Sequence, residues 1–352
     1  MVRKLADKIA MISTRPVRLM EFCGGHTVAI MRNGIRQLLP PNIEMLSGPG
    51  CPVCVTSNRD IDRAIALAGL PEVIITTFGD MLKVPGSYSS LQQARAAGGD
   101  IRIVYSTQDA LQTARDNPHM AVIFLGVGFE TTAPTIASAV LQAEKEKIIN
   151  FSVLCQLKLT PPAMRALLDL GETRLNGIIC PGHVSAIIGT RPYEAYAREY
   201  GIACVVAGFE PVDILQAVEM LVRQVEDGIA RVEIAYTRGV RPEGNVKALE
   251  LMDIVFDTAV AGWRGIGDIP GSGLRLKSKY ARFDAGRRFE VDLPPAREHA
   301  GCRCGEILRG VIRPFDCGLF GKACTPENPV GPCMVSSEGS CAAYYQYGAA
   351  DG

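Results

Sequence analysis

The sequence predicts an α/β protein, with helices on both faces of parallel sheets and a carboxy-terminal segment of different character. From about residue 17 to 225, short apolar runs alternate with amphipathic stretches, the rhythm of strands buried between helices. After about residue 237, Gly, Pro and Arg become frequent and that periodicity fades. A third, fainter observation is an internal echo. Gly128-Phe129-Glu130 and Gly208-Phe209-Glu210 each close an apolar run, and Phe78-Gly79-Asp80 closes another. The echo favours two sheets over one, divided near the turn-forming triplet Asn117-Pro118-His119.

In chain order, strands are expected at 17–22, 73–77, 101–105, 122–127, 151–154, 177–179 and 203–207. Helix-like stretches lie between them at 59–68, 89–97, 135–147, 163–170, 192–200 and 211–225. The resulting division places one α/β domain at 17–118 and a second at 119–240. A third unit is expected from 1–16 together with 241–352. A tail this rich in Cys, Gly and Pro builds little apolar core and needs another staple, which a cysteine-bound metal centre would supply.

Composition narrows the function. Apolar residues make up 47% and charged residues 21%, the balance of a globular protein. Lys plus Arg equals Asp plus Glu at 37 each, which argues against a nucleic-acid binder. The longest apolar run, Met120 to Phe129, is too short to cross a bilayer and holds two glycines. The amino terminus carries charges at positions 3, 4, 7 and 8 and no apolar core of a signal peptide, so a cytoplasmic location is expected. There is no phosphate loop, and Gly126-Val-Gly128 lacks the third glycine of a dinucleotide fingerprint, with Thr131 in its place.

Twelve cysteines in a reducing compartment are not a disulfide framework. Cys155 and Cys204 sit inside apolar runs and read as core. Most of the others read as chemically employed. Cys23 precedes Gly24-Gly25-His26, and Cys180 precedes Pro181-Gly182-His183, so two of the four histidines lie three residues after a cysteine at a strand end. A histidine so placed can lower a thiol pKa, giving a nucleophile or a metal ligand. Cys51-Pro52-Val53-Cys54 has the spacing of a dithiol redox pair, or of half a zinc site. In the tail, Cys302, Cys317, Cys324 and Cys341 are separated by 14, 6 and 16 residues. Four thiolates at loop-sized spacings suit an iron–sulfur cluster, with structural zinc the alternative. Cys304 and Cys333 lie in the same stretch, and spacing alone does not choose four from six. Glu130, Glu210 and Asp80 at strand ends suit acid–base groups or helix caps equally.

Taken together, several blocks resemble the signature of a known family. They are Glu21-Phe-Cys-Gly-Gly-His-Thr27, Gly48-Pro-Gly-Cys-Pro-Val-Cys54, Thr77-Phe-Gly-Asp-Met-Leu-Lys-Val-Pro-Gly86, Gly126-Val-Gly-Phe-Glu-Thr-Thr132, Cys180-Pro-Gly-His-Val-Ser185 and the tail Cys317 to Tyr345. They look like those of the HypD family of nickel–iron hydrogenase maturation proteins, over about residues 17–347. The resemblance implies two similar Rossmann-like parallel-sheet domains plus a smaller iron–sulfur domain formed by the chain termini. It implies a scaffold that works with a HypC-type chaperone to assemble an iron carrying two cyanides and one carbon monoxide, the cyanide coming from a HypE-type donor. It further implies Cys23 as the thiolate that binds this transient iron, and Cys51 and Cys54 as the redox pair. Cys302, Cys317, Cys324 and Cys341 become the 4Fe–4S ligands, which leaves Cys304 and Cys333 as non-ligands. His26, His183 and Cys180 remain candidate site residues beside the iron. A stand-alone iron–sulfur thiol–disulfide oxidoreductase is the competing class.

Overall fold

The computed structural model describes residues 1–348. Eleven strands are found among them: β1 (Val17–Glu21), β2 (Ile43–Ser47), β3 (Val73–Thr77), β4 (Asp100–Ile103), β5 (Ala121–Gly128), β6 (Phe151–Leu157), β7 (Gly177–Pro181), β8 (Ala203–Ala207), β9 (Val232–Ile234), β10 (Phe256–Trp263) and β11 (Gly267–Leu276). They form a parallel five-stranded sheet in the order β2-β1-β7-β8-β9 and a parallel four-stranded sheet in the order β4-β3-β5-β6. The antiparallel hairpin β10-β11 completes the set. The expected α/β architecture with two Rossmann-like parallel sheets is therefore present.

These strands form where they do because both of their faces are covered. β3 and β8 are buried along their whole length, which parallel sheets require when crossover helices lie on each side. In the five-stranded sheet, alternate residues serve opposite faces. Val17, Leu19, Ile179, Val205 and Ala207 join one apolar cluster, while Met20, Ile178, Cys180, Cys204 and Val206 join the other. The four-stranded sheet is likewise faced by two clusters, one around Phe124 and Val153 and one around Ile123 and Leu154.

Strand pairing departs from chain order. The turn at 117–119 lies between β4 and β5, which belong to one sheet, and β1 pairs with β2 on one side and on the other with β7, which begins at residue 177. The four-stranded sheet is thus inserted between β2 and β7. Fully buried strands look alike in composition, so the sequence does not say which of them are neighbours. The amino-terminal helix Val2–Ile12, expected beside the tail, packs instead along the helix Pro211–Glu226. Ile9 enters the core there, Lys8 pairs with Glu219 at 3.1 Å, and the Glu226 carboxylate accepts from the backbone N–H and hydroxyl of Thr14 at 2.7 and 2.6 Å.

β9 and the β10-β11 hairpin were not expected. The hairpin docks on β6, where Leu159 N–H donates to the Ser272 carbonyl at 2.8 Å. Trp263 is buried and donates its indole N–H to Ser272 Oγ at 2.8 Å. The tail is built of short pieces, including the helices Cys304–Leu308 and Ser340–Tyr347. Among the described residues, no helix is long and apolar enough to cross a membrane.

Candidate functional site

In the five-stranded sheet, strand order reverses between β1 and β7. Ligands in doubly wound sheets bind beyond the carboxyl ends of the strands at such a switch point. Cys23 stands there, two residues past β1, in extended conformation at the start of the helix Gly24–Arg32. His183 follows β7 at the same edge and is exposed. The buried His26 sends Nε2 to the carbonyls of Ala207 and Gly208, at 3.2 and 3.0 Å, beyond the end of β8. Its Nδ1 has no hydrogen-bond partner among the described residues, and burial lowers its pKa to about 4, so the ring is neutral. Both imidazoles stack on Phe209, with ring centroids 4.7 Å away for His26 and 3.9 Å for His183.

The histidines therefore do not activate Cys23. Burial pushes its thiol up to about 12, with Glu21 and Glu338 adding to the rise, while the backbone N–H groups of His26 and Gly25 oppose it. Glu21 is buried and accepts the Cys23 N–H at 2.9 Å and the Thr27 hydroxyl; burial raises this carboxyl to about 8. Such a thiol stays protonated until a soft metal displaces its proton. Cys180, expected near His183 at this mouth, is a β7 residue. It shares the face of Ile178, so the two-residue strand period turns it into the core against Cys204.

The loop after β2 is clamped to the Cys23 turn. Gly24 N–H donates to the Gly50 carbonyl at 3.0 Å, and Gly48 N–H to the Glu21 carbonyl at 2.8 Å. A Cβ on Gly50 would stand 2.3 Å from the Cys23 backbone nitrogen, so the approach requires glycine. One residue on, the Cys51 sulfur accepts the Cys54 N–H at 3.3 Å. Both cysteines are buried, and they open a row of thiols that runs into the tail.

Within that row, the Cys333 sulfur accepts from Cys304, Cys341 and Cys54, which pulls its pKa well below the ordinary thiol value. The pKa values of Cys54 and Cys341 are pushed up, Cys54 chiefly by burial and Cys341 chiefly by its bonds with Cys304 and Cys333. Cys302 donates to Cys304 and is raised by that bond first and by burial second. The Cys324 sulfur accepts the Val330 N–H at 3.4 Å, and the Cys317 thiol faces the Gly301 carbonyl at 3.9 Å. A Cβ on Gly331 would lie 2.5 Å from the Cys302 sulfur and 2.6 Å from the Cys304 sulfur, so glycine is needed here too.

Eight cysteines thus share one apolar seam with Phe129 and Trp263. Among the described residues, no three His, Cys, Asp or Glu side chains converge as a ready-made metal-ion site. The donor set is nevertheless all sulfur in apolar surroundings, with backbone N–H support for Cys324. That chemistry suits an iron–sulfur cluster and not a hard cation.

The family resemblance leaves Cys304 and Cys333 as non-ligands, and both lie within this seam. Sequence reasoning missed Glu338, whose Cβ and carbonyl oxygen lie 2.6 Å from where a Cβ on Gly24 would stand. Burial and the charge of Asp80 raise the Glu338 carboxyl. Asp80 follows β3, at the edge where the order of the second sheet also reverses. The tail therefore links the two switch points through one carboxyl group. The Gly208-Phe209-Glu210 block, an echo of Gly128-Phe129-Glu130 in the sequence, is also the platform for two imidazoles.

Fold and site together define a thiol-rich, doubly wound α/β protein with one cysteine at a switch point and a sulfur seam behind it. The chain belongs to the HypD family: the model of that family, described as a hydrogenase formation hypA family, matches residues 1–348. It is 50% identical over 342 residues to hydrogenase maturation factor HypD2 of Bradyrhizobium diazoefficiens, covering 95% of this chain and 90% of that one. It is 49% identical over 354 residues to hydrogenase maturation factor HypD of Rhodobacter capsulatus, covering 99% and 94%. The corresponding factor of Escherichia coli is 45% identical over 347 residues, covering 98% and 93%.

Proposed function

We propose that the chain is a hydrogenase maturation scaffold on which an iron substrate is held by Cys23 while cyanide and carbon monoxide are attached to it. The clamp between the Cys23 turn and the Cys51–Cys54 loop carries this reading, because it seats a metal-binding thiol directly beside a dithiol. Cys23 is partly exposed, so a second thiolate from a HypC-type chaperone has room to complete the iron's soft ligand set. A HypE-type protein would supply the cyanide. The exposed His183 suits a hydrogen bond to a bound cyanide, while the buried, neutral His26, whose Nε2 proton goes to the Ala207 and Gly208 carbonyls, shares the Phe209 ring that fixes the plane of both imidazoles.

Oxidation of Cys51 and Cys54 to a disulfide would release two electrons and two protons, the number that splits a thiocyanate on a HypE-type donor into thiol and hydrogen cyanide, and an external reductant would return the pair to the dithiol. Cys302, Cys317, Cys324 and Cys341 would hold a 4Fe–4S cluster, which supplies one-electron redox chemistry when bound. Cys304 and Cys333 lie between those residues and Cys54, and they offer a thiol route along the seam.

The test is anaerobic co-purification of the full chain with a HypC-type chaperone, followed by infrared spectroscopy. Bands from metal-bound cyanide and carbon monoxide are expected, and Cys23→Ala should abolish them while leaving the tail's iron in place. A complex of Cys23→Ala with unchanged bands would place the iron elsewhere. A chain that reduces partner disulfides without those bands would be a plain oxidoreductase.

A further inference from the structure

Apart from the seam, the helix Asn58–Ala68, the end of β6 and the β10-β11 hairpin enclose a cleft of about 360 Å³. Its charged and polar walls include Arg59, Arg63, Lys158, Asp60, Asp268 and Gln156. The Lys158 side chain is only 2% exposed, yet its ammonium makes a single hydrogen bond among the described residues, a long 3.4 Å contact to Asp60. It also lies over the Trp263 ring, 6.0 Å from the centroid. An ammonium has three donors, so this buried one is under-satisfied.

Other groups around it also lack protein partners among the described residues. Arg59 and Arg63 make no hydrogen bond or ion pair among the described residues. Gln156 is 6% exposed; its Nε2 donates to the Asp60 carbonyl at 2.7 Å, and its Oε1 has no partner. Cys155, at the same wall, is already bound to the Leu274 carbonyl at 3.0 Å. Three cations face two carboxylates, which leaves a positive surplus and a buried acceptor in want of a donor.

We propose that this cleft binds a small tetrahedral oxyanion carrying an O–H group, of the hydrogen-phosphate type. Lys158, Arg59 and Arg63 take the charge, and Gln156 Oε1 accepts from the O–H. The ion restores the partners that Lys158 and Gln156 lack, and the cleft has room for it together with several waters. No candidate iron or cluster ligand lines this cleft, so the site stands apart from the maturation chemistry.

Trp263 is the chain's only tryptophan, so its emission reports on Lys158 directly. Inorganic phosphate is titrated into the anaerobic full-length protein at constant ionic strength, followed by calorimetry and by Trp263 emission. Saturable binding with a millimolar or tighter constant is expected, with none from chloride. Sulfate, which lacks the O–H at neutral pH, should bind about tenfold more weakly. Lys158→Met should lose the phosphate response. If that variant does not fold, Arg63→Gln at the half-buried rim should weaken binding about tenfold. Absence of saturable phosphate binding, or binding unchanged in these variants, would overturn the site. Equal affinity for sulfate would overturn the role of Gln156.

Discussion

At the scale of single residues, Glu130 shows burial outweighing hydrogen bonding. It lies just beyond β5, where Thr160 donates its backbone N–H and its hydroxyl to the carboxylate at 2.7 and 2.9 Å. Burial still dominates and raises the pKa from 4.5 to about 7. Below 4.5 both folded and unfolded chains are protonated, so the group has no effect on stability there. As pH rises from 4.5 to about 7, the unfolded chain ionises first and the folded state loses stability. Above that window the loss levels off on the order of 3 kcal/mol. Glu130→Gln should therefore flatten the stability–pH curve across this window. Urea unfolding of both proteins at about pH 5 and about pH 8 checks it, and parallel changes would refute the assignment.

Residue chemistry was partly legible in the sequence. The cysteine blocks marked loops that the structure brings together, because glycine beside a thiol marks a close backbone approach. Burial direction was not legible for Cys180, since one step along a strand exchanges core for mouth. The place of Cys304 and Cys333 was not legible either, because the contact between Cys333 and Cys54, through which Cys304 joins them, spans 279 residues of chain and leaves no local pattern.

Among elements, the helix Ser340–Tyr347 has an outsized role for its length. It packs on Gly24–Arg32, the helix that begins at Cys23, and Tyr344 is the residue that joins them. The ring is buried against Met31, meets Phe315 edge-on at 5.5 Å, and carries the Arg36 guanidinium 4.7 Å from its centroid. Tyr344→Ala should cost about 3–5 kcal/mol, the range for emptying an aromatic site. It should also shorten the lifetime of tail-bound iron in air, because Cys341 begins the same helix. A variant with a lowered melting temperature and unchanged iron retention would show that the helix does not brace the thiols.

Strands such as β3 and β8 were readable because continuous apolar runs leave few alternatives. The β10-β11 hairpin was not readable. β11 holds Gly267, Pro270, Gly271 and Gly273, a composition that reads as loop, and packing against β6 and Trp263 overrides it.

For the whole molecule, each sheet has apolar clusters on both faces, whereas the tail contributes mainly cysteines and short helices to the seam. Removing the iron of the proposed cluster should therefore loosen the tail and spare the sheets. Hydrogen exchange read by mass spectrometry should show faster exchange across 302–341, with β3, β5 and β8 still protected. Simultaneous loss of protection in the sheets would mean that the metal holds the entire fold together.

The insertion of one sheet within the other also orders events during synthesis. β3 to β6 are contiguous in the chain, so this sheet has all its strands once residue 157 has left the ribosome. β1 and β2 emerge earlier, but β7, the neighbour that completes the Cys23 edge, begins only at residue 177. At bacterial elongation rates the first two strands wait on the order of ten seconds with an unpaired edge exposed. A stalled nascent chain from which residue 170 has just emerged should resist protease over the inserted sheet and remain sensitive at 17–47. The Cys23 turn is thus translated among the first segments and acquires its walls among the last, so no half-made chain presents a finished Cys23 site.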